Sequence, residues 1–172
     1  MRDKPVNVRD SGSVLQGEFA FEVRLEFPSG PRIRFGPLPE GGRCGYVPVV
    51  SGTVTGPRLQ GKVVPYSGGD WPHLWPDGTI EFDARYLIEA DDGTLIYVQN
   101  RGFAHAPADV QARIDAGQTV DPRENYFRTT PTFKTSVGPH DWLCRTIFVG
   151  LGDKRADHSL FAFPEFGGDC LS

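Results

Sequence analysis

The stretch TIEFDARYLIEADDGTLIYVQNRG, residues 79–102, decides the fold. In its first half, apolar side chains from Ile80 to Ile88 lie on one face of a strand, and mostly charged side chains from Glu81 to Glu89 lie on the other. A second strand follows over Thr94–Arg101, and the Asp-Gly pair between the two strands is typical of a tight antiparallel turn. The sequence therefore predicts a long β-hairpin.

Other parts of the chain predict further strands and one helix. We predict a single helix in APADVQARIDAG, residues 106–117, because Pro107 suits a helix start and Gly117 a helix end. The further predicted strands are Val14–Phe27, with Phe19, Phe21, Val23, Leu25 and Phe27 on one face, and then Arg32–Phe35, Tyr46–Thr55, Leu59–Pro65, Asn125–Thr135, Trp142–Gly150 and Leu160–Phe166. About eight to ten strands with one short helix predict a closed antiparallel barrel, since closure leaves no unpaired edge. We expect one domain over residues 14–166, with loosely held tails at 1–13 and 167–172.

Composition excludes several classes of protein. The 172 residues include 21 glycines and 15 prolines, too many helix breakers for a helical bundle or coiled coil. A hydrophobic fraction of 38% argues against a disordered chain, and a net charge of −4 argues against a nucleic-acid partner. The sequence contains no apolar run of the ~20 residues that cross a membrane. Residues 1–13 lack the apolar stretch of a signal peptide, and the three cysteines are widely spaced, so we expect a cytoplasmic protein with reduced thiols.

No motif for a metal or nucleotide is present. The four histidines and three cysteines do not have the spacing of metal ligands, and no glycine-rich phosphate-binding loop occurs. We therefore predict no metal site and no cofactor.

Asp83 and Arg85 are the first candidates for chemistry. They are two residues apart on one strand, so their side chains point to the same side, with their bases about 7 Å apart. If that face points into the barrel, Arg85 could hold an anionic oxygen while Asp83 moves a proton. Alternatively, the two residues form an ion pair on the solvated face, with Phe82 and Tyr86 in the core. The spacing leaves both interpretations open.

Other candidates are suggested by polar or aromatic residues on neighbouring segments. Asp70, Trp71 and His73 lie in a loop rich in glycine and proline, where they could form a cavity rim or simply close the barrel end. Asn100 and Cys144 each stand among apolar side chains of a predicted strand, which suits a pocket wall as well as a satisfied hydrogen bond in the core.

Four sequence blocks resemble a known family. GTVTGPRLQGKVVPYSGGDW, DARYLIEADDGTLIYVQNRG, DPRENYFRTTPTF and WLCRTIFVGLG are similar to the barrel proteins catalogued as a domain of unknown function, number 3237, over about Val14 to Phe166. The resemblance implies a lipocalin-like barrel with an internal cavity. Related biosynthetic members imply cofactor-free cyclisation or isomerisation of hydrophobic natural-product intermediates.

The resemblance also implies a set of pocket residues. Two departures from the family pattern concern it: Cys144 stands where asparagine is usual, and GGDWPHLW replaces a longer GADWQ-type block. We predict Asp83 and Arg85 as catalytic residues. The predicted substrate-binding residues are Asp70, Trp71, Tyr97, Asn100, Tyr126, Arg128, Trp142 and Cys144.

Three functional hypotheses follow. The first is a cofactor-independent enzyme that closes a ring in, or shifts a proton within, a hydrophobic or aromatic substrate. The second is a non-catalytic, lipocalin-like carrier of a small apolar acid. The third is a barrel filled by its own side chains and used as an interaction module. We expect a small-molecule partner, no nucleic acid or membrane partner, and a possible homodimer.

Overall fold

Antiparallel strands dominate the computed structural model, which describes residues 17–29, 32–155 and 157–166. The predicted tails at 1–13 and 167–172 lie outside these residues. The strands are β1 Gly17–Glu26, β2 Ile33–Phe35, β3 Arg43–Val49, β4 Ser51–Thr55, β5 Gly61–Val63, β6 Gly68–Asp70, β7 His73–Leu74, β8 Ile80–Ala90, β9 Leu95–His105, β10 Tyr126–Thr135, β11 Gly150–Lys154 and β12 His158–Phe166. The helix α1 spans Ala108–Asp115, and a 3-10 turn spans Asp141–Arg145.

Eight of these strands close into a barrel. The order around the ring is β8-β5-β4-β1-β12-β11-β10-β9, and the pairing of β9 with β8 closes it. The remaining strands β2, β3, β6 and β7 extend the sheet from β8, because β6 and β7 pair with the first half of β8 while β5 pairs with the second half. The predicted closed antiparallel barrel with one short helix is confirmed.

The predicted hairpin is present, and its burial shows which face of β8 points into the barrel. β8 and β9 pair continuously from Ile80 opposite Ala104 to Glu89 opposite Leu95. Ala84, Tyr86 and Ile88 are buried inside the barrel, whereas Arg85 is exposed. The alternation predicted for this segment is therefore present, and its charged face is the outer one.

Aromatic side chains fill one end of the barrel. Phe21, Phe133, Phe148 and Phe163 are all buried, and the ring centroids of their contacting pairs lie 5.3–6.4 Å apart, mostly edge to face. The buried side chain of Leu143, from the 3-10 turn, belongs to the same core. We call Phe21, Phe133, Phe148 and Phe163 the aromatic plug.

Three local predictions are corrected by the structure. The phenylalanine Phe19 is about half exposed, because the register of β1 against β12 shifts between Phe19 and Phe21 and turns Phe19 outward. The predicted strand Trp142–Gly150 is instead a 3-10 turn followed by an irregular stretch that reaches β11. The predicted loop around Trp71 contains β6 and β7, which pair with β3 and β8.

The predicted helix is confirmed. It begins after Pro107 and buries Val110, and Gly117 adopts a positive φ of 74° just beyond its end. Among the described residues, no helix is long and apolar enough to cross a membrane.

Candidate functional site

The barrel end opposite the aromatic plug contains a cavity. It is partly enclosed and opens to solvent on one side. Apolar side chains of β1, β3, β8, β10 and β12 form most of the wall. Polar side chains line it in three places: buried ones at the floor, charged ones at the mouth, and His158 and Ser159 on β12. The cavity is thus an apolar chamber with a small polar floor.

The floor is built on one row of paired residues. Asp70 on β6 lies opposite Ala84 on β8, and Ala84 lies opposite Asn100 on β9. Directly paired residues point to the same side of a sheet, so all three face the cavity. Because Ala84 is small, it leaves room for the carboxyl group and the amide group to reach into the cavity on either side of it.

Asp70 is a buried carboxyl group. Its side chain accepts a hydrogen bond of 3.1 Å from the backbone N–H of Asp83. Burial raises the pKa of Asp70 to about 7, and the negative charge of Asp83 adds to this, while the backbone N–H of Asp83 and the charge of Arg32 act against it. A carboxyl group with a pKa near neutrality can both donate and accept a proton at physiological pH.

Two other polar side chains reach the floor. Asn100 and Thr129 are each about 2% exposed. Neither the Asn100 Oδ1 atom nor the Thr129 Oγ1 atom has a hydrogen-bond partner among the described residues. A buried polar atom without a partner costs free energy, and an oxygen or hydroxyl group of a ligand in the cavity would satisfy it.

Stacked aromatic rings form one wall. Phe82 on β8 stacks on Phe127 of β10 with ring centroids 4.9 Å apart, and Phe127 meets Phe161 of β12 edge to face at 5.3 Å. All three rings line the cavity. Flat apolar surfaces of this kind suit an aromatic or polycyclic ligand.

Positive charge surrounds the mouth. Arg32, Arg34 and Lys154 line the open side of the cavity, and we call them the mouth cluster. Burial lowers the pKa of Lys154, and the nearby charge of Arg32 lowers it further. Arg155 also lines the mouth, where it is paired with Asp153.

The predicted catalytic pair lies outside the cavity. Asp83 and Arg85 point outward from β8 and bond to each other at 2.9 Å, and Gln99 of β9 also donates to Asp83 at 2.9 Å. Partial burial pushes the pKa of Asp83 upward, but the hydrogen bonds from Arg85 and Gln99 outweigh it, so the pKa is lowered. Of the two interpretations that the spacing left open, the structure shows the outward ion pair, because the apolar face of β8 is the one that fills the barrel.

Six of the eight predicted binding residues also lie outside the cavity. Trp71 and Tyr126 are about half exposed, and Tyr97 and Arg128 point outward from β9 and β10. Trp142 packs on Phe148 beneath the guanidinium of Arg58, and Cys144 is exposed on the 3-10 turn. Strand alternation explains the outward positions of Tyr97, Tyr126 and Arg128, whereas the 3-10 turn places Trp142 against the core and Cys144 at the surface.

Asp70 and Asn100 are the two predicted binding residues that line the cavity. The prediction missed Thr129, although the signal that identified Asn100, a polar residue on an apolar face, also occurs for Thr129 between Phe127 and Pro131. It also missed the mouth cluster. Arg32 and Arg34 are two residues apart, but Lys154 comes from a distant part of the chain, and no pattern within one segment indicates that all three meet.

Histidine, cysteine and acidic side chains are the potential metal ligands in the part of the chain that the structure describes. In residues 17–29, 32–155 and 157–166, no group of three potential metal ligands is present. His73, one of the residues of the predicted rim or barrel end, stacks on Trp75 with ring centroids 4.5 Å apart.

Comparison with known proteins identifies the family. The family model described as "Protein of unknown function (DUF3237)" matches residues 15–163. The chain belongs to the DUF3237 family. A UPF0311 protein of Clostridium acetobutylicum is 38% identical over 122 residues, which cover 71% of this chain and 77% of that protein.

Solved structures share the DUF3237 barrel. The crystal structure of a conserved protein of unknown function from Rhodopseudomonas palustris superposes with a TM-score of 0.80 at 30% identity, covering 89% of this chain and 97% of that one. A more distant barrel, described as an enzyme from Penicillium herquei, superposes with a TM-score of 0.62 at 19% identity, covering 91% of this chain and 99% of that one. At that identity the likeness concerns the fold alone.

Proposed function

We propose that the barrel is a cofactor-independent enzyme that binds an apolar, aromatic small molecule and transfers a proton within it, so that the molecule isomerises or closes a ring. The observation that carries this proposal is the buried carboxyl group of Asp70 at the floor of an apolar cavity, with a pKa of about 7. Asp70 takes the role that the sequence suggested for Asp83.

The floor residues support a simple proton transfer. The Asp70 carboxylate removes a proton from a carbon next to a substrate carbonyl, and the electron pair of that C–H bond moves toward the carbonyl oxygen. The amide N–H of Asn100 and the hydroxyl of Thr129 can donate hydrogen bonds to the oxygen as it gains negative charge. In a substrate whose enolate is conjugated with a carbon–carbon double bond, the carboxylic acid then returns the proton to the far carbon of that double bond while the carbonyl re-forms, so no atom is gained or lost.

The apolar wall supports the same reaction. Phe82, Phe127 and Phe161 offer flat surfaces that can hold an aromatic substrate in one orientation. They also exclude water, which strengthens the hydrogen bonds made at the floor. An enolisable aromatic ketone that fits the cavity can therefore report proton transfer in a first test.

Deuterium incorporation from D₂O into β-tetralone, followed by NMR, tests the proposal. We expect the protein to accelerate exchange at the carbon next to the carbonyl, and Asp70→Asn to reduce that acceleration by about a hundredfold or more. Asp121→Asn is the matched control, because Asp121 is paired with Arg123 and does not belong to the cavity lining.

Two outcomes would contradict the proposal. Equal exchange rates for Asp70→Asn and the unchanged protein would remove Asp70 from the reaction. Shifts of the NMR signals of cavity residues on addition of β-tetralone, without any accelerated exchange, would instead favour the non-catalytic carrier.

A further inference from the structure

The mouth cluster concentrates positive charge on a protein whose formal net charge is −4. Within 4 Å of Arg32, Arg34 or Lys154 there is no carboxylate among the residues that the structure describes, although seven other arginines there have one. Burial and then the charge of Arg34 lower the pKa of Arg32, while the charge of Asp70 acts against them. Burial and then the charges of Arg32 and Arg34 lower the pKa of Lys154, while the charge of Asp115 acts against them. The three cations therefore repel one another across the mouth.

The cavity lining contains little negative charge to offset this repulsion. Among the described residues of the lining, Asp70 is the one acidic side chain, and it lies at the floor with a pKa of about 7. Near neutral pH a large fraction of it is therefore uncharged. A bound anion would relieve the repulsion among the three cations, and guanidinium groups match the geometry of oxyanions particularly well.

We propose that the mouth cluster binds an oxyanion carried by the apolar ligand, so that the substrate class is an aromatic acid or phenolate held with its charged group at the mouth. The position of the uncharged end beside Asp70 rests on the proposed function. Between the two ends, the ligand body lies against Phe82 and Phe127. The charged group thus fixes which end of the molecule reaches the proton-transferring carboxyl.

A pair of probes of equal size isolates the contribution of charge. Naphthoate and naphthamide, substituted at the same ring position, differ in charge but hardly in shape. Calorimetric titration at pH 6 keeps naphthoate ionised while Asp70 is mostly protonated. We expect naphthoate to bind at least about tenfold more tightly than naphthamide.

Substitutions in the mouth cluster test whether it causes the preference for naphthoate over naphthamide. Arg32→Gln, Arg34→Gln and Lys154→Gln should each reduce the preference for naphthoate several-fold, and the triple variant should abolish it, with naphthamide affinity unchanged in all of them. Arg85→Gln is the control, because it removes one exposed positive charge from the outer face of the barrel. Thermal unfolding midpoints confirm that each variant is folded.

The outcomes separate this proposal from the proposed function. Equal affinities for naphthoate and naphthamide in the unchanged protein, or an equal loss of preference in Arg85→Gln, overturn the oxyanion site. If neither probe binds in the barrel, both proposals fail. A preference for naphthoate that depends on the mouth cluster, together with full exchange activity in Asp70→Asn, supports the oxyanion site and overturns only the role of Asp70.

Discussion

Asp70 shows how a single residue can acquire reactivity from its surroundings. An aspartate in water is ionised at neutral pH, but this residue is 9% exposed and lines the cavity together with apolar side chains such as Ala84. One backbone N–H and the charge of Arg32 compensate only part of the lost hydration. The resulting pKa of about 7 is a property of the folded state alone.

The raised pKa of Asp70 predicts a pH-dependent stability. In the unfolded chain, the aspartate ionises near pH 4, whereas in the folded state it stays protonated up to about pH 7. The unfolded state therefore binds fewer protons in this range, so the free energy of unfolding falls as the pH rises from 4 to 7. The substitution Asp70→Asn removes this loss of stability, because asparagine does not ionise. We expect the variant to be more stable than the unchanged protein by an amount on the order of 4 kcal/mol at pH 8.

Urea unfolding of both proteins between pH 4 and pH 8 measures this difference. Other titrating groups are common to the two proteins, so their contributions cancel. The advantage of Asp70→Asn should vanish near pH 4 and reach its full size above pH 7. A difference that does not change with pH would show that Asp70 has an ordinary pKa.

The sequence contained more information about individual residues than the predictions used. Period two divides β8 into two faces but does not say which one is inside. The number of charged residues on each face does identify the inner face. One face carries Glu81, Asp83, Arg85 and Glu89, and burying four ionised groups costs more free energy than burying the apolar face gains. Other properties, such as the pKa of Asp70 and the unpartnered oxygen of the asparagine beside it, depend on packing that only the folded chain shows.

At the level of the elements, Gly102 lets β9 and β10 pair closely beside the cavity. It lies between Phe82 of β8 and Thr129 of β10 in one row across the three strands. A Cβ atom at this position would be 2.1 Å from the carbonyl oxygen of Arg128, which is backbone and cannot move aside. The missing side chain is thus a requirement of strand pairing.

Gly102→Ala should therefore destabilise the protein by about 1–3 kcal/mol, the usual cost of an extra methyl group where no space exists. The control is Gly93→Asn in the turn between β8 and β9. Gly93 has a positive φ of 84° that asparagine tolerates, and a Cβ atom added there would meet no other atom within 4 Å. Chemical unfolding compares the two variants. Equal stabilities would mean that β9 and β10 can separate at little cost.

The elements that the sequence predicted correctly are those with a long, regular pattern. β8, β9 and β10 each follow one period over many residues, and α1 has clear end signals at Pro107 and Gly117, so local preference and tertiary structure agree. The segment Asp141–Arg145 has the alternation of a strand over only a few residues, and it forms a 3-10 turn instead. The short strands β6 and β7 escaped prediction because glycine and proline, which usually mark loops, are present at a position where pairing with β8 outweighs local preference.

On the scale of the whole molecule, the aromatic plug supplies much of the core. Phe148→Ala should lower the free energy of unfolding by about 3–5 kcal/mol, because it removes a buried ring from contact with three others. Phe35→Ala is the control, since Phe35 on β2 is 59% exposed. Urea unfolding measures both. A cost for Phe148→Ala no larger than that for Phe35→Ala would show that the plug is not tightly packed.

Closure of the barrel was predictable, whereas its division into a filled half and an open half was not. Strand number and the lack of long helical patterns indicate a ring from the sequence alone. The division depends on where large side chains meet across strands that are distant in the sequence. Phe21, Phe133, Phe148 and Phe163 come from three strands and one connecting segment, and they share one end only in the folded molecule.

The aromatic plug makes the barrel a tube with a blind end. A molecule that enters past Arg32 and Arg34 has to leave by the same opening, so a second molecule cannot follow until the first has departed. Ligand molecules therefore enter and leave the barrel one at a time. A long chain cannot thread through the barrel, and any part of a ligand that exceeds the depth of the tube stays outside in the solvent.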